Sequence, residues 1–343
     1  MEIPTNRIFR GLVLLSAALA ASACASVKAK FSPTLKENVG IFADQTVAML
    51  SHAEFGFGEG QAVRLRTIVN PEWEEVKRFQ FLRSRTKDAF RGIIKYSFRL
   101  VLIAETNDPE KKKIEAYADY LSSFDDRVVE DLQIGKDHYA SIIQEIRGKE
   151  TFLDAIKTAQ PLINAAGRQI NRLLDNVVES ADVLASKIES EIDTEYKDVI
   201  RYQNILETEK YAVFTGLEQL YLTRKGDADA FDRFVRSRVI RSQKLIPEGP
   251  PSEEDLNRLR EGLLKQLDDI NRIWNEISPD WENYRATHQE LDQLHAKVLD
   301  NIKKARMITL LWVRAHQKMG LGTLNPAEWV DIQDLLKLGV KFF

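Results

Sequence analysis

The chain is poor in everything that would cross-link it or break its regular structure. It has one cysteine, ten prolines and sixteen glycines in 343 residues. A single thiol excludes any internal disulfide, so stability must come from packing. No sustained apolar–polar alternation occurs, which argues against sheets and barrels. The net charge of −3 excludes a general electrostatic pull toward nucleic acid, and no nucleic-acid partner is expected. Catalytic signatures are missing as well: there is no G-x-S-x-G and no H-E-x-x-H. Ser84-Arg85-Thr86-Lys87 fits S-x-x-K, but no K-T-G follows it and its surroundings read as helix. Gly56, Gly58 and Gly60 spell G-x-G-x-G without a preceding strand, so they read as a break between helices rather than a nucleotide loop. No catalytic residue, no cofactor-binding residue and no cofactor are assigned.

What the chain does have is helical periodicity, almost throughout. The expected fold class is all-α: an elongated antiparallel helical bundle with long coiled-coil-like helices over residues 33–343. A first helix is expected over 33–52. Asn70-Pro71 reads as a cap with proline at the first helical position, opening a helix over 71–104. It would bury Trp73, Val76, Phe79, Leu82, Phe90, Ile93 and Leu100. Pro109 starts a shorter helix with Ile114, Tyr117, Leu121 and Phe124 inside. The longest helix is expected over 161–225, where there is no proline after Pro161 and the glycines are Gly167 and Gly216. Ile163, Ile170, Val177 and Leu184 step by seven, as do Ile192, Val199, Leu206, Val213 and Leu220. Leu184–Ile188–Ile192 joins the two series by steps of four, a stutter that unwinds a supercoil locally.

Beyond Gly226 a short helix over 227–243 leads to a loop over 244–252. Ser252 and Asp255 there resemble a capping box. Leu256, Leu259, Leu263, Leu267, Ile270, Trp274 and Ile277 form the next seam. Ser278-Pro279-Asp280-Trp281 reads as a restart. Tyr284, Leu291, Val298, Ala305, Trp312 and Met319 then keep the seven-residue step, and Asn325-Pro326 opens a last helix. Such amphipathic faces must be covered, by one another, by a protein partner or by self-association through the seams.

Two side-chain sets stand out. Arg83, Lys87, Arg91, Lys95 and Arg99 recur every four residues, a basic stripe able to meet an anionic surface. The competing reading is a solvated face, or pairing with the acidic run that includes Asp175, Glu179 and Asp193. His288, Asp292 and His295 are weak candidates for a metal site. One heptad spans about 10.5 Å along a helix, too far for the two histidines to share an ion directly. Asp292 would instead pair with one of them.

The lone thiol, Cys24, closes an N-terminal segment of distinctive design. Arg7 and Arg10 precede an apolar stretch, Gly11–Ala21 interrupted only by Ser16, and Ala21-Ser22-Ala23 lead into the cysteine. A basic start, an apolar middle and a small-residue exit describe a secretory signal. Ala21-Ser22-Ala23-Cys24 resembles the lipobox of bacterial lipoproteins, with Ala21 where leucine is usual. The resemblance covers residues 1–26 only. It implies removal of residues 1–23, acylation of Cys24, a tether over 24–32 and partnership with a membrane through the lipid anchor. It also implies export to the cell envelope, with Ala25 favouring the outer over the inner membrane in a Gram-negative cell. Plain secretion after Ala23 is the competing reading. Three functional classes follow: a non-enzymatic anchored scaffold, adaptor or binding protein; a membrane-active protein resembling helical pore-forming toxins, with 92–104 as its most apolar segment; and a metal-binding bundle.

Overall fold

The computed structural model describes residues 64–124, 126–237, 239–240 and 245–323. Cys24, the expected helices over 33–52 and after Asn325, and the Gly56–Gly60 segment lie outside the described residues. Regular structure among the described residues is entirely helical, so the fold is all-α. The helices are α1 (Leu65–Ile68), α2 (Glu74–Glu105), α3 (Glu110–Ser122), α4 (Asp126–Asp131), α5 (Lys136–Arg147), α6 (Phe152–Thr158), α7 (Gln160–Glu195), α8 (Lys197–Arg224), α9 (Ala228–Ser237) and α10 (Glu253–Gly320).

The chain divides into two compact units. Among the described residues, unit 1 takes Glu74–Asp182 and 296–323; unit 2 takes 64–73 and Val183–His295. In unit 1, α3 packs on α2, α5 and α6, and α4 and α6 pack on α5. Its buried residues include Phe90, Leu100, Ile114, Tyr117, Leu121, Phe152, Leu174, Val177 and Trp312. In unit 2, α8 packs on α9. Leu206, Val213 and Leu220 of α8 form one aliphatic core with Phe234 of α9 and with Leu256, Leu259, Leu263 and Ile270 of α10.

Three expected boundaries fall elsewhere, each for a local reason. The 161–225 stretch is not one helix but two, α7 and α8, joined at Tyr196 with φ −99° and ψ 14°. The joint lies one turn beyond the stutter, where winding is already disturbed, and the Tyr196 ring lies against Tyr284 with centroids 5.7 Å apart. The longest helix is α10, 68 residues, and it runs through Pro279 instead of restarting there. Pro279 has no N–H for the carbonyl of Asn275; the Ser278 hydroxyl donates to that oxygen at 3.4 Å. Pro279 is exposed, so water can complete the carbonyl's needs. At Asn70-Pro71 the Glu72 amide donates to Asn70 Oδ1 at 2.9 Å, a turn that delays the start of α2 to Glu74. The capping box forms: the Asp255 amide donates to Ser252 Oγ at 3.1 Å and the Ser252 amide to Asp255 Oδ2 at 2.9 Å. Those bonds from Ser252 hold the Asp255 carboxyl below its ordinary pKa.

The two glycines of the 161–225 stretch mark close helix approaches. A Cβ at Gly167 would stand 2.6 Å from Val313 Cγ2 of α10, and one at Gly216 would stand 2.8 Å from Val239 Cγ1.

Candidate functional site

The most developed constellation of polar groups lies inside unit 1, on α2, α3, α7 and α10. Tyr96 comes from the buried face of α2, Tyr117 from that of α3, and His316 from the last turns of α10. All three are buried, His316 completely. Tyr96 Oη lies 2.6 Å from Tyr117 Oη and 2.8 Å from His316 Nε2. His316 Nδ1 lies 2.7 Å from Gln160 Oε1, and Gln160 Nε2 donates to Asn164 Oδ1 at 2.9 Å. The direction of every bond follows. With its amide nitrogen donating to Asn164, Gln160 offers its oxygen to His316 Nδ1–H. Nε2 is then the unprotonated nitrogen and accepts from Tyr96, whose oxygen accepts in turn from Tyr117. Beside this chain the Trp312 indole donates to Ser97 Oγ at 3.2 Å, and Ser97 donates to the Ile93 carbonyl at 2.9 Å.

The electrostatics agree with a neutral network. Burial lowers the His316 pKa to about 3, so the ring is uncharged near neutrality. Burial raises the phenol pKa of Tyr96 and of Tyr117. An activated phenol nucleophile or a general base poised near pH 7 requires shifts of the opposite sign. What the arrangement does chemically is hold aromatic walls in place, because a partly satisfied buried network would be costly.

Those walls line a half-open cavity. Its volume is about 440 Å³, and Tyr96, Tyr120, Phe124, Tyr139 and Trp312 are among the residues around it. Aliphatic side chains of α2, α3 and α7 complete the lining, including Ile93, Leu121 and Ile163. Tyr139 is fixed by donating to the Leu121 carbonyl at 2.6 Å. Burial pushes its phenol up to about 12. Gln169 adds an amide whose Oε1 is buried without a hydrogen-bond partner. Charged residues at the cavity are Arg85, Asp88, Lys95 and Asp131. Arg85 Nη2 reaches both carboxylate oxygens of Asp131 at 3.2 Å, and Arg91 pairs with Asp88 at 3.1 Å. Lys95 makes no ion pair among the described residues and is exposed.

The basic stripe is divided by helix geometry. A step of four residues turns about 40° past a full revolution, so the stripe leaves the flank of the buried seam and crosses to the opposite face. Arg83 and Lys87 are half-buried on the flank, while Arg91, Lys95 and Arg99 are exposed. Phe98 and Leu102 are exposed on the same stretch of α2. Pairing with an acidic residue of α7 is seen beside the stripe, where Arg78 pairs with Glu179 at 3.3 Å. Asp175 pairs with Arg306 of α10 instead. The charge of Arg99 acts on Tyr120, opposing the rise that burial gives its phenol. Ser84 and Lys87 lie on α2 as expected. The 92–104 segment contributes Ile93, Ile94, Tyr96, Ser97, Leu100, Ile103 and Ala104 to buried positions.

The weak metal candidates do not come together as a ligand set. His288 Nε2 lies 3.1 Å from Asp193 Oδ1, and Tyr284 donates to the same oxygen at 3.0 Å. The partner of His288 is therefore Asp193, 95 residues away, rather than Asp292. Tyr284 packs its ring edge-on against His288 with centroids 4.6 Å apart. Among the described residues no three His, Cys, Asp or Glu side chains form a metal-binding group, and no helix is long and apolar enough to cross a membrane.

Sequence reasoning did not find the Tyr96–His316 network or the cavity. Tyr117 and Trp312 were legible only as seam residues, and His316 only as a histidine 21 residues beyond His295. Comparison with protein-family models, with curated proteins and with solved structures finds no match to this chain.

Proposed function

We propose that this chain is a non-enzymatic helical lipoprotein of the bacterial envelope. It is exported, anchored through acylated Cys24, and acts as a scaffold or binding protein. The observation that carries this reading is the position of its lone cysteine, directly after Ala21-Ser22-Ala23 at the end of an apolar segment. One acyl chain binds a membrane only marginally, and lipoproteins of the class it resembles carry three.

The partner surface in this reading is α8. Its Leu206, Val213 and Leu220 face the core of unit 2, yet Tyr202, Ile205, Tyr211, Phe214 and Tyr221 are exposed on the same helix. Tyr211 is 76% exposed. Aromatic side chains exposed in such density mark an interaction surface more often than a solvated one. Packing of these exposed side chains, rather than of the seven-residue-step residues already buried in unit 2, is the mode of contact this reading assigns to the partner or to a second copy.

Metabolic labelling with a clickable fatty acid tests the anchor. The parent chain takes up label and the Cys24→Ser variant does not; label that survives the substitution overturns the reading. Crosslinking in intact envelopes tests the surface. The Tyr211→Glu/Phe214→Glu double variant loses crosslinked products that the parent forms.

A further inference from the structure

We propose that the cavity of unit 1 is a binding site for a single-chain amphiphile with an anionic head, a long-chain carboxylate. This goes beyond the anchored-scaffold reading and does not depend on it. Three observations converge. The first is size: about 440 Å³ lies within the range of roughly 300–1,000 Å³ typical of small-molecule pockets. The second is the wall. It is built chiefly from aliphatic and aromatic side chains, and its aromatic members Tyr96, Tyr139 and Trp312 are held by hydrogen bonds to groups of the protein rather than by packing alone. Hydrogen bonds of this kind fix the positions of the wall's rings independently of what fills the space between them.

The third is charge. Of the four charged residues at the cavity, Arg85 and Asp131 neutralise each other and Asp88 is paired with Arg91. That leaves Lys95, with Arg99 acting on Tyr120 of the wall. A hydrocarbon tail matches the lining, and one carboxylate matches the Lys95 ammonium, which makes no ion pair among the described residues. A neutral apolar molecule would leave that charge unused; a doubly charged or highly polar ligand would leave its groups facing aliphatic side chains.

Gly92 gives a clean test. It lines the cavity on α2, and a Cβ added there meets nothing within 4 Å. A Cβ at this position therefore meets no protein atom among the described residues, and removing a helix-interior glycine favours the helix. The experiment uses the full chain carrying Cys24→Ser, purified without detergent, and titrated calorimetrically with saturated carboxylates from ten to sixteen carbons and with hexadecanol. Palmitate should bind saturably at one site per chain. Affinity should rise with chain length by up to about fourfold per methylene until the cavity is full. Gly92→Phe should abolish binding of both palmitate and hexadecanol while the melting temperature holds or rises. Lys95→Gln should weaken palmitate about tenfold and leave hexadecanol unchanged.

Absence of saturable palmitate binding overturns the site. So does undiminished binding by a folded Gly92→Phe variant. Equal palmitate affinity in the parent and Lys95→Gln overturns the assignment of the anionic head.

Discussion

The two units bury their helices by different means. Unit 2 closes an aliphatic seam in which Leu206, Val213, Leu220, Leu256, Leu259, Leu263 and Ile270 meet around Phe234. Unit 1 buries three tyrosines, a tryptophan and a histidine, with Ser97, Thr86 and Thr309 also inside. The aliphatic core gains stability from area and tolerates swaps that conserve volume. The aromatic core is specified by directed hydrogen bonds, which fix side-chain positions even where neighbouring space is empty. A cavity can persist beside the second kind of core because its walls do not depend on being filled.

Breaking the aromatic wall should have the largest effect. Trp312→Ala removes a fully buried indole from beside the cavity and leaves Ser97 without its donor; we expect a loss of about 4 kcal/mol by denaturant unfolding. Amide exchange should rise first in α2 and α3, with unit 2 less affected. If protection falls equally in both units, the distinction between them is wrong.

Acid should separate the units next. His316 has a folded pKa of about 3 against 6.5 when unfolded, so the unfolded state binds the extra proton between these values. Stability is fully present above pH 6.5 and declines as pH falls toward 3. The single-site difference from pH 6.5 to pH 4 is on the order of 3 kcal/mol. A His316→Gln variant starts less stable but should show a visibly flatter profile over that window. A slope equal to the parent's would remove His316 as the source.

Tyr117→Phe sharpens the point with a single atom. It takes the donor from Tyr96 and should destabilise by about 1–3 kcal/mol, although the ring is retained. In unit 2, Leu259→Met, also fully buried, should change stability by less than about 1.5 kcal/mol. If the leucine swap proved the costlier of the two, the contrast between the cores would be reversed.

Much of the helical pattern was legible in the residue spacing. Ile163, Ile170, Val177, Leu184, Ile188 and Ile192 are all buried, as are Leu291, Val298, Ala305, Trp312 and Met319. Ser252 caps α10 with Asp255 as its spacing implies. The failures are instructive. Pro279 lies within α10 because it sits on the exposed side and Ser278 takes up a carbonyl it leaves open. The joint at Tyr196 follows from a disturbed repeat and an aromatic neighbour on another helix. His288 turns to Asp193 rather than to the nearer Asp292 because another helix brings a better-placed carboxylate.

By itself the sequence determined that the chain forms helices, which residues line their buried faces, and where its one thiol stands. These are local properties: a periodicity of 3.6 is written in neighbouring residues and needs no knowledge of where the next helix goes. Only the tertiary structure decided that Tyr96 meets His316 across 220 residues, that Gln160 sets the imidazole tautomer, and that an apolar cavity remains beside them with Lys95 at its edge. Hydrogen bonds and voids depend on the distance between side chains on different helices. That distance is fixed by packing, not by spacing along the chain.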